Sequence, residues 1–353
     1  MVSSRFYGSV KALKEINTFS EQIISFVLMF HMSYSYRDDR ENQTISDVFI
    51  LVGFSHLNEL QILLFVVLLV IYLLALMGNL FIILLIKLNS SLHTPMYFFL
   101  VHLSIVEICY ITSVFPQLLV HLLVEEKTIS TLGCAAQMGI TVIMGLTECC
   151  LLAAMAYDRY VAICQPLHYT TIMSGQVCAV LSAAPWFIGF SMSLAQTMWL
   201  FSLPFCGSNH IHHFFCDQPT MMKMSCANTS KNDIMLLTVS ALFILGPVFL
   251  IILSYICIIS TILRLPSAEG RRKAFSTCSS HLMVVSLFYG ASLFTYLVPK
   301  STSIPESGQL ISLMATILIP LSNPIIYTLR NKEVKAALRK TAEKSIFSHN
   351  WVN

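Results

Sequence analysis

Charge is what this sequence has least of. Acids and bases together make up 11% of its 353 residues, where a soluble domain carries about a quarter. The 21 Lys and Arg against 18 Asp and Glu leave a net charge of +3, scattered along the chain, which excludes a nucleic-acid partner. None of the 11 cysteines forms a C-x-x-C pair, so zinc-ribbon and dithiol redox chemistry are excluded. No nucleophile–base or metal-ligand set falls at membrane depth, which removes the basis for an intramembrane enzyme. Internal repeats with discontinuous helices in matching positions, the mark of many secondary transporters, are also missing. What fills the chain is apolar: 56% of it is hydrophobic, at a mean hydropathy of +0.73. A soluble core cannot bury that much, so most of it must face lipid.

The apolar residues fall into seven runs, predicted as membrane-spanning helices over 60–86, 96–124, 134–160, 178–200, 233–263, 274–298 and 309–329. This makes the fold class an all-α membrane protein, a seven-helix bundle. Pro116 is expected to kink the second run, and Pro247 lies in the middle of the fifth. Residues 330–344 read as a short basic amphipathic helix lying on the membrane surface. The expected division is an N-terminal tail over 1–59, a seven-span domain over 60–329 and a C-terminal tail over 330–353. Residues 1–31 carry a weak apolar core over 23–30 without a small-residue cleavage site, so an extension is expected there rather than a cleaved leader, and Met32 is an alternative start.

Seven crossings put the termini on opposite sides, and lysine and arginine assign them. The loops holding Lys87, Arg159, Arg264 and the Arg271-Arg272-Lys273 run, with the C-terminal tail, carry twelve; the opposite loops carry four. The positive-inside rule then sets the N-terminus outside and the C-terminus in the cytoplasm of a plasma-membrane protein. The Asn42-Gln43-Thr44 sequon falls on the outer side. So do Cys134, Cys206, Cys216 and Cys226, where an oxidising compartment favours two disulfides; four cysteines allow three pairings.

The third run carries the feature on which the rest turns. It closes on Met155-Ala156-Tyr157-Asp158-Arg159-Tyr160-Val161-Ala162-Ile163-Cys164. Cys134 and Arg159 lie about 37 Å apart along a helix, one at each face of a ~30 Å hydrocarbon layer. A rod joining an outside event to an inside one would be built in this way. Glu107 and Glu148 are the acids at mid-span; an intramembrane acid is expected to be functional. The pair could share a proton or hold a cation such as Na⁺, or both could be neutral and bonded to Asn79 and Asn323. On the sixth run Tyr289, Leu293 and Tyr296 share a helical face, and on the third Thr141, Val142, Gly145 and Leu146 line a similar one. Both faces lie in the outer half, and a pocket between them would be apolar with a few hydroxyls.

Gly78-Asn79, Leu92-His93-Thr94-Pro95-Met96-Tyr97-Phe98-Phe99-Leu100, the Asp158-Arg159-Tyr160 stretch, Pro166-Leu167-His168-Tyr169, Ser254-Tyr255, the run from Lys273 to Leu282, and Pro320-Leu321-Ser322-Asn323-Pro324-Ile325-Ile326-Tyr327 stand in this order along the chain. Over residues 42–340 the chain resembles vertebrate olfactory receptors, which are rhodopsin-like G-protein-coupled receptors. His213-Phe214-Phe215-Cys216-Asp217 resembles the group associated with airborne odorants. The resemblance implies disulfides Cys134–Cys216 and Cys206–Cys226. It implies an odorant site among Thr141, Val142, Gly145, Leu146, Val239, Ser240, Phe243, Tyr289, Leu293, Tyr296 and Thr316. The implied partners are a small volatile odorant, membrane lipid and a stimulatory, olfactory-type G protein that raises cAMP. Asp158, Arg159, Tyr160, Tyr255, Arg272, Lys273, Asn323, Pro324 and Tyr327 would form the inner coupling switch. Asn79, Glu107, Glu148 and Asn323 would form a buried polar cluster, with no cofactor beyond Na⁺ as an allosteric ion. Three departures stand out. Glu107 replaces the wider family's Asp, Tyr289 stands where most rhodopsin-like receptors carry Trp, and 1–31 has no counterpart. No acid near Arg271 is placed to pair with Arg159, so neighbouring Asp158 is its expected partner.

Overall fold

The computed structural model describes residues 48–54, 58–206, 208–297, 305–330 and 333–339. The 1–31 extension, the Asn42 sequon and the end of the tail lie outside them, as do the side chains of Lys273, Leu293 and Tyr296. Seven long helices form a bundle: α1 (Gln61–Leu88), α2 (Pro95–Leu123), α3 (Thr131–Cys164), α4 (Gly175–Phe201), α5 (Ser230–Leu263), α6 (Ala268–Leu297) and α7 (Pro305–Arg330). Among the described residues six of them are long and apolar enough to cross a membrane. The remaining one, α6, starts among charges before the apolar run, so Arg271 and Arg272 ride on helix rather than on the expected loop.

The helices differ in how they meet their surroundings. α1 and α5 leave most of their side chains exposed to the lipid side, while α2 and α3 are largely enclosed, with Phe99, Leu103, Leu151 and Leu152 fully buried between them. α3 crosses α4 closely because Gly189 has no side chain. A Cβ there would lie 2.9 Å from Thr147 Oγ1 and 3.1 Å from the Ile143 carbonyl.

α2 runs through Pro116 without a break, whereas α5 answers Pro247 with a wide turn. Residues Ala241–Leu245 are π-helical, and the Gly246 N–H reaches the Ala241 carbonyl five residues back. Proline has no N–H to donate to the carbonyl four residues before it, so the ladder is re-spaced just ahead of it. At the far end, residues 333–339 are helical, with Val334 and Ala337 turned into the core and the Tyr97 hydroxyl donating to Glu333 Oε2 at 2.7 Å.

One end of the bundle is capped by structure that the hydropathy pattern does not signal. A three-stranded sheet has β1 (Val48–Leu51) in the middle, antiparallel to β2 (Thr128–Ser130) and parallel to β3 (His210–Ile211). β3 belongs to the long connection between α4 and α5, which also holds a short helix, Gln218–Lys223. A disulfide from Cys134 to Cys216 ties this connection to the start of α3, and a second joins Cys206 to Cys226 within it.

Candidate functional site

Gln137, one turn along α3 from Cys134, doubles the disulfide tether. Its Nε2 donates to the Ser113 carbonyl at 3.0 Å and to Gln117 Oε1 at 2.9 Å, both on α2, while its Oε1 accepts from the Cys216 N–H at 2.9 Å. A third tie comes from α7, where Gln309 Nε2 donates to the His212 carbonyl at 3.0 Å. The connection is therefore a fixed roof, held to α3 and α7 and to the N-terminal strand.

Beneath this roof lies a cavity of about 710 Å³. Of the residues expected at a ligand site, Thr141, Val142, Gly145 and Leu146 of α3, Val239 and Ser240 of α5 and Thr316 of α7 line this cavity. Phe243 and Tyr289 do not. The wide turn in α5 adds a residue per turn, so Ile244 rather than Phe243 follows Ser240 on the wall. The Tyr289 hydroxyl donates to the Cys149 carbonyl on α3 at 3.3 Å, holding its ring below the lumen, and Phe288 takes its place on the lining. The roof contributes His212, Phe215, Asp217, Gln218 and Lys223, a more polar set than the expected apolar pocket. Sequence reasoning missed these, along with Gln137 and Gln196. A lone amide in an apolar span was their only signal.

The cavity floor reaches Glu107 and Glu148, which come within hydrogen-bonding reach of each other. Such a bond requires a proton on one of the two carboxyls. Asn323 Nδ2 donates to Glu107 Oε1, while Glu148 Oε1 is buried without a partner among the described residues. Asn79 stays apart from the acids. Its Nδ2 donates to the Ala75 carbonyl at 3.0 Å and to the Pro320 carbonyl of α7 at 3.1 Å. The expected cluster of four thus holds Glu107, Glu148 and Asn323, and Asn79 serves the α1–α7 contact.

At the opposite end of α3, Asp158 and Arg159 are not paired. Asp158 Oδ1 accepts from the Tyr169 hydroxyl at 2.7 Å, and no ion pair joins it to Arg159 among the described residues. Tyr169 sits on a short helix (Tyr169–Ile172), where burial and the Asp158 carboxylate beside it push its hydroxyl up, so it keeps the proton it donates. Arg159 Nε is buried and unpartnered among the described residues, and its charge is felt by Tyr255, His281 and Tyr327, on α5, α6 and α7. The expected Asp158–Arg159 ion pair is not formed among the described residues, where Asp158 Oδ1 takes the Tyr169 hydroxyl, although the Arg159 charge still acts on the carboxylate. The Tyr255 hydroxyl donates to His281 Nδ1 at 2.8 Å, and His281 Nε2 donates to the Leu152 carbonyl at 3.1 Å, linking α5, α6 and α3. Tyr327 is fully buried with its hydroxyl unpartnered among the described residues, Tyr160 accepts from Gln165 Nε2 at 3.3 Å, and Arg272 is exposed. Of the expected switch residues, Tyr255 and Tyr327 lie close enough to Arg159 for its charge to act on them, while Asn323, one helical turn before Tyr327, is turned to Glu107.

A family model described as "Olfactory receptor" matches residues 68–344. Human olfactory receptor 10A4 is 53% identical over 309 residues, covering 87% of this chain and 98% of that protein. Human olfactory receptor 10A5 is 51% identical over 312 residues, with 88% and 98% covered. Human olfactory receptor 2B2 is 48% identical over 312 residues, with 88% and 87% covered. Among solved structures, squid rhodopsin superposes with a TM-score of 0.67 at 17% identity, covering 86% of this chain and 88% of that one.

Proposed function

The chain belongs to the olfactory receptor family, a family of membrane-embedded G-protein-coupled receptors rather than enzymes, and from that premise we propose how its geometry does the work of one. The roofed cavity binds small, weakly polar volatile molecules, and occupancy favours a state in which the Arg159 end of α6 swings outward. The cleft so opened accepts the C-terminal helix of a Gα subunit of the stimulatory, olfactory type, and cAMP rises. The roofed end faces the outside of the cell and the Arg159 end the cytoplasm, as the lysine and arginine count supports. Glu107 and Glu148 are offered as an allosteric Na⁺ site on the same terms, carried by the bare Glu148 Oε1.

One observation carries the reading. A cavity of ligand size, about 710 Å³, sits under a roof cross-linked to α3, and α3 is also the helix that delivers Arg159 to the far end. Pockets of about 300–1,000 Å³ suit small organic ligands.

Gly145 provides the test. It lines the cavity, and a Cβ placed on it meets nothing within 4 Å. Gly145→Leu should therefore fill the lumen without disturbing the bundle. In transfected cells a broad volatile panel should raise cAMP through the native receptor. Gly145→Leu should lose that response at equal surface density, and Arg159→Ala should lose it with ligand binding retained. Unchanged dose–response curves for Gly145→Leu would remove the site from this cavity. Agonist-driven calcium release without cAMP would remove the stimulatory assignment.

A further inference from the structure

Gln196 of α4 is 2% exposed and lines the cavity. Its Nε2 is buried with no hydrogen-bond partner among the described residues. A donor left unmade in such a place is costly, and most buried polar groups avoid it. Three hydroxyls of the same lining are already committed. Thr141 Oγ1 donates to the Met138 carbonyl at 2.9 Å, Ser292 Oγ to the Phe288 carbonyl at 2.9 Å and Thr316 Oγ1 to the Ser312 carbonyl at 2.8 Å. Each has given its proton to its own helix and can only accept from a guest. The other bare polar atoms of the lining, Glu148 Oε1, Asp217 Oδ1 and Gln309 Oε1, are acceptors too. The deep wall therefore has a surplus of acceptors and an amide N–H that lacks one. Oxygen and nitrogen of an amide exchange on a half-turn of the side chain, so the group can bring its N–H to an acceptor that enters.

Building on the proposed ligand site, we propose that Gln196 is the polar anchor of the ligand and that it selects molecules carrying a carbonyl oxygen: small ketones, aldehydes and esters. The Gln196 amide donates to that oxygen. The hydrocarbon remainder packs on Val142, Leu146, Val239, Ile244 and Phe288, which line the same cavity. A carbonyl accepts and cannot donate, so the surplus acceptors beside Gln196 give it no hold, and the donors Lys223, His212 and Gln218 of the lining belong to the roof. An alcohol finds several partners and gains less from this one.

The experiment uses paired volatiles, each a ketone, aldehyde or ester matched with the alkene in which CH₂ replaces the carbonyl oxygen. Full-length receptor is assayed for cAMP beside a wider panel of alcohols, acids and amines. Activators are expected among the carbonyl members. Gln196→Leu, close in volume, should raise their EC50 about tenfold, the loss of one neutral hydrogen bond at roughly 1.4 kcal/mol per decade. Gln196→Met should do the same. The quantity read is the carbonyl-to-alkene EC50 ratio within each variant, which surface density does not move. Equal potency of both members of a pair in the native receptor, or an unchanged ratio in both variants, overturns the assignment of Gln196. Activation by the wider panel with silence from every carbonyl compound overturns it as well, and leaves the receptor reading standing. Silence of a surface-expressed receptor to all compounds overturns the receptor reading itself.

Discussion

Pro324 has no N–H, so the Pro320 carbonyl one turn earlier loses its helical partner. Asn79 Nδ2 supplies a replacement from α1 at 3.1 Å. The approach is possible because residue 78 is glycine: a Cβ there would lie 3.1 Å from the Pro324 ring. Asn79→Ala should leave a buried carbonyl bare and cost about 1–3 kcal/mol, read as a lower thermal midpoint of purified receptor. Asn79→Asp, which cannot donate when ionised, should do no better. Both motifs were legible in the sequence, but their contact was not. Asn79 looked like a partner for the mid-span acids because all are polar groups at similar depth, and depth alone does not say which face of α1 meets which helix. Gln137 and Gln196 were invisible for the same reason. One forms the keystone of the roof and the other holds an amide nitrogen with no hydrogen-bond partner among the described residues, yet in sequence each is a single amide among apolar neighbours.

The wide turn of α5 decides which side chain reaches the ligand wall. Pro247→Ala returns the missing donor and should let Ala241–Leu245 close to an ordinary α-helix, rotating Phe243 toward the lumen and Ile244 away. The expected outcome is a reordered agonist ranking with surface expression retained, and an identical ranking would show that the turn survives without proline. The long helices themselves were legible, because a hydrocarbon layer demands runs of about twenty apolar residues and few other constraints act on them. Their ends were less so. α3 continues to Cys164, beyond the predicted 160, and α6 begins at Ala268 rather than 274, since hydropathy marks where lipid ends and not where backbone hydrogen bonding ends. The sheet left no period-two signal at all, its strands being two to four residues long.

For the molecule as a whole, the ligand must shift a conformational balance. Taking it from 1:99 to 99:1 requires about 5.5 kcal/mol of differential affinity. A small molecule burying ~200 Å² gains about 5 kcal/mol at most before the costs of binding are subtracted. Single volatiles should therefore act as partial, low-affinity agonists. A variant that raises basal cAMP should also raise the maximal response to weak agonists, and full efficacy at saturation from a weak binder would contradict this. Asp158 adds to the balance from below. Its carboxylate is held by Tyr169 rather than by Arg159, so the resting and active states need not differ by the breaking of that neighbouring ion pair.

The middle strand of the cap carries a consequence for how the protein is made. β1 is the first described segment to leave the ribosome, and its partner in the roof comes much later: the Val48 carbonyl accepts from Asn209, 161 residues along. At about 5–20 residues per second of synthesis, the edge of the strand that meets β3 waits roughly ten seconds or more unpaired, while β2 becomes available to its other edge about halfway through. The disulfide that fixes the roof also joins residues 82 apart. An exposed strand edge is a template for the wrong partner. The sheet can close only after its third strand, His210–Ile211, has been made, although its central member was made before the other two. The yield of receptor at the cell surface should depend on how well the secretory pathway shields that one strand during the interval.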